Sequence, residues 1–108
     1  MSKDSQEKLP KQYRRLNKSF PQYMEAVRNL GEVVQKEGPL DLKSLQLVQL
    51  AAAAAIRSEG AVHSHARRAL KAGAAPDEIR HALIALTSTL GFPTVSAALS
   101  WAEEVIAD

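Results

Sequence analysis

Five consecutive alanines at positions 51–55 lie inside an apolar stretch from Leu50 to Ile56, and this run limits what the chain can fold into. Alanine is the strongest helix former, whereas the β-branched and aromatic residues that favour strands are sparse. Much of the 45% hydrophobic content is alanine, and only 5% of the residues are aromatic. Because an alanine-rich core buries less area than a leucine-rich one, we expect closely packed helices that gain stability by self-association.

Proline and glycine divide the chain into about five to six predicted helices, which indicates an all-α helical bundle. Residues 1–19 form a basic, partly disordered arm with one short helix, and residues 20–108 form the helical domain. In chain order, we expect a short helix over 10–18 and then a helix capped by Ser19 that ends at Gly38-Pro39. A third helix is capped by Asp41 and buried almost all round, and a fourth covers 61–72, after an interruption at Gly60 and before Gly73. A fifth helix starts at 75 and ends before Gly91, and the last helix follows Phe92-Pro93-Thr94.

The basic arm carries a net charge of +4 over residues 1–19, and the other residues sum to −2, which gives the total of +2. Such an arm can contact nucleic acid or anionic lipid, or it can be a solvated tail. The sequence has neither an aromatic ladder nor a nucleic-acid-binding motif, so we expect no nucleic-acid partner.

The chain contains no cysteine, which excludes disulfides, thiolate metal sites and cysteine nucleophiles. Its longest apolar run is the seven residues from Leu50 to Ile56, too short to span a membrane. The first residues lack the apolar core of a secretory signal. We therefore expect a cytoplasmic protein with no membrane partner.

Two histidines, His63 and His65, lie close together in one predicted helix. Residues at i and i+2 point about 200° apart, so these imidazoles cannot share a ligand face, and no set of three ligands is complete. We therefore predict no metal site. His63 shares a polar stripe with Glu59 and Arg67, whereas His65 lies on the alanine-lined packing face and should be buried.

Two interpretations of His65 are open at this point. It is either a core histidine satisfied by one hydrogen-bond partner or a buried general acid or base. Glu59, next to Gly60, either lines a small cavity or is an ordinary exposed acid. Trp101 has the spacing of a core or interface residue.

A longer pattern begins at Ser58-Glu59-Gly60-Ala61-Val62-His63-Ser64-His65 and continues with Ala69, Gly73, Asp77-Glu78-Ile79 and Gly91-Phe92-Pro93. This pattern resembles the carboxymuconolactone decarboxylase and alkylhydroperoxidase-D-like family over about residues 20–107. The resemblance implies an all-helical fold that assembles as a homotrimer or homohexamer, with a site near the subunit contacts.

The redox members of that family resemble thiol peroxidases that use a glutamate, two cysteines and a histidine. In this sequence the cysteine positions fall on Ser58 and Ala61, the glutamate position falls on Gln46, and only His65 matches. Neither serine nor alanine can form a reversible disulfide, and an amide cannot shuttle a proton as a carboxylate does. Thiol peroxidase activity is therefore not expected.

The decarboxylase branch needs no cysteine, so it implies proton transfer or decarboxylation, a lyase-type reaction, on a small carboxylated molecule. His65 and Glu59 are then the candidate catalytic residues, and no cofactor is expected. The candidate substrate-binding residues are Arg57, Arg67, His63 and Gln46, with Arg68 as a further cation for the carboxylate. The alternative is a non-catalytic oligomeric binding or scaffold protein in which His65 is structural.

Overall fold

The computed structural model describes residues 10–107, and these are helical with no strand among them. They form two compact units, which divide between Gly38 and Pro39. The first unit contains α1 (Lys11–Ser19) and α2 (Pro21–Lys36). The second contains α3 (Leu42–Ala55), α4 (Glu59–Lys71), α5 (Pro76–Ile84), the short α6 (Thr87–Leu90) and α7 (Phe92–Ile106). The all-α prediction is confirmed. The first nine residues of the predicted basic arm lie outside the described part of the chain.

In the first unit, α1 continues through Ser19, so the predicted cap at Ser19 is wrong. Phe20 takes the N-cap position of α2, and Pro21 begins the helix. Proline is favoured there because the first helical residue needs no hydrogen-bonded N–H. On α2 only Met24 is buried.

In the second unit, Asp41 caps α3 as predicted, because its Oδ1 accepts the N–H of Ser44 at 2.7 Å. The prediction that this helix is buried almost all round is wrong. Its fully buried residues are Gln46, Leu50, Ala53 and Ala54, whereas Leu42 and Val48 are exposed. Packing against α4, α5 and α7 covers only one stripe of α3.

The break between α3 and α4 lies at residues 56–58 and not at Gly60, which is inside the first turn of α4. Arg57 adopts a positive φ of 55°. The N–H of Ser58 donates to the carbonyl of Ala53, and the N–H of Arg57 donates to that of Ala54, each at 3.0 Å. This pair of bonds is a Schellman motif, which needs a left-handed residue and usually has glycine there.

The second half of this unit begins as predicted, with Pro76 at the start of α5 and the Glu78 carboxylate accepting the N–H of Ala75 at 2.9 Å. The helix ends at Ile84, earlier than predicted, and α6 fills part of the gap before Gly91. Gly91 has a φ of 88°, which favours glycine, and α7 follows directly.

The core of the second unit is built largely from small side chains, and seven of its twelve buried residues are alanines. Leu50, Val62, Ile79 and Leu83 are among its largest apolar members, and Trp101 packs against this core while partly exposed. Small side chains let α3, α4 and α7 approach closely. Within residues 10–107, none of the helices is both long and apolar enough to cross a membrane.

Ion pairs join α5 to its neighbours at the surface. The Arg80 guanidinium binds Glu103 on α7 and also Asp77, and Lys43 on α3 binds Glu78 at 3.1 Å. The hydrogen bonds from Arg80 lower the pKa of Glu103, and the backbone N–H of Ala75 and the Lys43 ammonium lower the pKa of Glu78. These contacts help to hold the helices that flank α4.

Candidate functional site

The two histidines of α4 extend toward different helices, as their spacing predicts. His65 contacts Gln46 on α3, and His63 contacts Glu104 on α7. The predicted site residues therefore divide into two groups on different sides of one helix.

The His65 group is held together by one hydrogen bond. The Nδ1 of His65 lies 2.9 Å from the Oε1 of Gln46, whose side chain is fully buried. An amide oxygen can only accept, so with Oε1 of Gln46 facing the ring, Nδ1 is the nitrogen that carries the proton. The neutral imidazole therefore leaves its lone pair on Nε2.

Burial and charge both act on the pKa of His65. Partial burial lowers the pKa below its ordinary value of 6.5, because a charged imidazole loses solvation there. The positive charge of Arg68, one helical turn further on, lowers the pKa further. His65 is therefore neutral near pH 7. The prediction of a buried His65 is met in part, since the residue is half-buried.

Ser58 has a structural role in the backbone. It is the N-cap of α4, and its Oγ accepts the N–H of Ala61 at 3.3 Å. The two positions where the resemblance places cysteines thus form the first turn of α4 and supply its cap. Neither residue provides a redox group.

The second group consists of Glu59, His63 and Glu104. The Nε2 of His63 lies 2.9 Å from a carboxylate oxygen of Glu104. One ligand-type atom from each of the three residues lies within 4.8 Å of the others. Glu59 is therefore placed with His63, and the structure does not bring it to His65. The third member of this set comes from another helix, so it could not be found from the spacing of residues within α4.

The predicted carboxylate-binding arginines occupy different positions. Arg57 donates from its guanidinium to the Thr94 hydroxyl at 2.8 Å, which joins the turn before α4 to α7. Arg67 is exposed and follows His63 by four residues, so it lies on the His63 side of α4. Arg68 is the arginine whose charge acts on His65.

Comparison with known proteins shows the family of the chain. The model of the family described as "Carboxymuconolactone decarboxylase family" matches residues 21–104. The chain belongs to this family. No match is found among curated proteins.

Two solved structures whose names refer to carboxymuconolactone decarboxylases are similar to the chain. A carboxymuconolactone decarboxylase family protein from Legionella pneumophila has 27% identity and a TM-score of 0.73, with 87% of each chain covered. A putative carboxymuconolactone decarboxylase from Burkholderia xenovorans LB400 has 21% identity and a TM-score of 0.70, with 92% of this chain and 80% of that one covered. The second likeness concerns the fold alone.

Two residues of this carboxymuconolactone decarboxylase family member were missed by sequence reasoning. Glu104 lies 41 residues from His63, and no local pattern links them. Gln49 follows Gln46 by three residues on α3, and its buried Oε1 has no hydrogen-bond partner within residues 10–107. Its spacing from Gln46 was the signal available in the sequence.

Proposed function

We propose that this chain catalyses proton transfer on a small carboxylated molecule, with Nε2 of His65 as the atom that takes up a proton from water and gives it to the substrate. The observation that carries the proposal is the hydrogen bond from His65 Nδ1 to Gln46 Oε1. It fixes the tautomer, and the lowered pKa keeps the imidazole neutral. Nε2 is therefore the nitrogen that takes up a proton from water, and the protonated ring is the form that acts as a general acid.

The substrate carboxylate needs a cation near His65, and Arg68 is the best candidate. Its charge lowers the pKa of His65, so the two groups interact through space. Arg57 is bound to Thr94, and Arg67 lies on the His63 side of α4. We therefore assign carboxylate binding to Arg68 in place of the other two. An exposed guanidinium can bind a carboxylate through two parallel hydrogen bonds.

The family description suggests a decarboxylation, in which loss of carbon dioxide is followed by transfer of a proton to the substrate. The bond between the ring carbon and the carboxylate breaks, carbon dioxide leaves, and the electron pair passes to the lactone ring. Protonated His65 then gives its Nε2 proton to the ring carbon, and it regains a proton from water. Since the protonated imidazole is the minor form near pH 7, the rate of this reaction should increase as the pH decreases toward the pKa of His65.

The test uses the purified full chain and carboxymuconolactone in deuterated water, with carbon dioxide release and deuterium incorporation as readouts. His65→Gln should lower kcat/KM by about 10²- to 10⁴-fold, the usual contribution of a general acid or base. Arg68→Gln should raise KM, whereas the matched variant Arg67→Gln should leave both constants unchanged.

Unchanged turnover in His65→Gln would overturn the assignment. Binding of carboxymuconolactone with neither product nor deuterium exchange would overturn catalysis on it and support the alternative, a non-catalytic oligomeric binding or scaffold protein.

We also propose that the chain forms a homo-oligomer, a trimer or a hexamer as the resemblance implies. Four apolar residues on α2 follow a spacing of four, three and four, and all are exposed: Tyr23, Val27, Leu30 and Val34. A continuous apolar stripe of this kind is the usual contact surface between helices. Cytoplasmic location also stays a prediction.

A further inference from the structure

The cluster of Glu59, His63 and Glu104 has no part in the proposed proton transfer. Glu59 and His63 lie four residues apart on α4, which puts them on one side of that helix. Glu104 comes from the last turn of α7, which packs against α4. We propose that these three residues bind a divalent metal ion of the zinc class.

The distances suit three ligands of one ion. Zinc binds imidazole nitrogen and carboxylate oxygen at about 2.0–2.2 Å, so tetrahedral ligand atoms lie about 3.3 Å apart. The Nε2 of His63 and the Oε2 of Glu104 are 2.9 Å apart, and the whole set lies within 4.8 Å. Both glutamates are exposed at the surface, and small rotations of their side chains bring the oxygens into range. The ion would replace the proton that His63 now donates to Glu104.

The charges of the cluster favour a dication. Two carboxylates and a neutral imidazole carry a charge of −2, and carboxylates held this close repel each other without a cation. Glu104 also lies near the carbonyl end of α7, where the helix dipole disfavours an acid and favours a cation. The negative charge of the neighbouring Glu103 is balanced by the Arg80 guanidinium, whereas the partner of Glu104 is His63.

The mixture of ligand atoms selects the class of ion. Imidazole nitrogen suits zinc and its first-row neighbours, whereas calcium and magnesium prefer oxygen ligands alone. Three protein ligands leave a coordination position for water, as in zinc sites that exchange ligands. The cluster is therefore expected to bind Zn²⁺ more tightly than Mg²⁺ or Ca²⁺.

The test is calorimetric titration of the full chain with Zn²⁺, and with Mg²⁺ in a parallel titration. One Zn²⁺ per chain should bind. His63→Gln, Glu59→Gln and Glu104→Gln should each weaken Zn²⁺ affinity at least about tenfold. Loss of a residue that only hydrogen-bonds to a metal ligand already weakens metal affinity by that factor, so loss of a ligand should cost no less. His81→Gln is the matched control, since His81 is an exposed histidine on α5. His65→Gln should also leave Zn²⁺ affinity unchanged, which separates this site from the proposed proton-transfer site.

Circular dichroism of each variant checks that its helices are retained. In addition, Zn²⁺ should raise the thermal midpoint of the original chain and of His81→Gln but not that of His63→Gln. Equal Zn²⁺ affinity in the original chain and in His63→Gln, or no binding by the original chain, would overturn the proposal. Loss of binding in His81→Gln would do the same, because it would place the ion elsewhere.

Discussion

His63 and His65 are separated by one residue, yet their surroundings give them different chemistry. His65 donates its Nδ1 proton to a buried amide, whereas His63 donates to an exposed carboxylate. The neutral acceptor does not stabilise a positive imidazole, and partial burial lowers the pKa of His65. The two imidazoles therefore differ because His65 contacts α3 and His63 contacts α7.

The lowered pKa of His65 predicts a pH dependence of stability. Between the folded-state pKa and 6.5, the unfolded chain binds more protons at this position than the folded chain does. Stability contributed by neutral His65 is therefore fully present above pH 6.5 and is lost as the pH decreases through the folded-state pKa. Urea unfolding of the original chain at pH 7.5 and 5.5 should show a larger loss than in His65→Gln.

An equal loss of unfolding free energy in the two proteins over this range would contradict that interpretation. The carboxylates with lowered pKa values, Asp41, Glu78 and Glu103, do not disturb the comparison. Their contributions are lost at lower pH, below their ordinary values of 3.8 to 4.5, and they are the same in both proteins.

At the scale of elements, the turn between α3 and α4 places the site. Arg57 holds the left-handed conformation that ends α3, Ser58 caps α4, and the first two turns of α4 then carry Glu59, His63 and His65. A residue with a side chain at positive φ is strained by roughly 1–2 kcal/mol relative to glycine. The bond from Arg57 to Thr94 compensates in part by tying this turn to α7.

Arg57→Gly and Arg57→Ala form a matched pair for this strain. Both remove the guanidinium and its bond to Thr94, and only the glycine relieves the backbone. We expect Arg57→Gly to be more stable than Arg57→Ala by about 1 kcal/mol, measured by urea unfolding. The opposite order would show that the turn does not hold Arg57 at positive φ.

Helix starts were predictable where a side chain or a proline marks them, as at Asp41, Pro21 and Pro76. The end of α3 was not predictable, because the residue in the left-handed conformation is an arginine. The break was predicted at Gly60 because glycine usually marks such a position. The His65–Gln46 pair followed from the family's spacing, and the structure joins the two. The group at His63 was missed because Glu104 meets it only through packing of α7 on α4.

At the scale of the whole molecule, large apolar side chains remain exposed on the surface, while the core is built mainly from alanine. A second copy of the chain could bury these side chains. Leu30 is 65% exposed and Tyr23 is 61% exposed, both on the apolar stripe of α2. Burying such side chains is worth about 1.5–3 kcal/mol each. Association through this stripe would thus add stability that the alanines of the core do not supply.

Leu30→Glu tests the proposed association by placing a charge in the centre of the stripe. Light scattering after size-exclusion chromatography should give an oligomeric mass for the original chain and a smaller mass for the variant. Asn29→Glu adds the same charge to the neighbouring position on another side of α2, and it should retain the original mass. A monomeric original chain, or an unchanged mass in Leu30→Glu, would contradict association through this stripe.

The most direct measurement is the ¹H–¹⁵N NMR spectrum of the His65 imidazole in the full chain as the pH is varied. We expect a pKa below 6.5 and, above it, the neutral tautomer with the proton on Nδ1. Gln46→Glu should raise that pKa, because a carboxylate stabilises the charged ring. A proton on Nε2 in the neutral ring, or a pKa at or above 6.5 in the original chain, would contradict the assignment of Nε2 as the atom that exchanges a proton with the substrate.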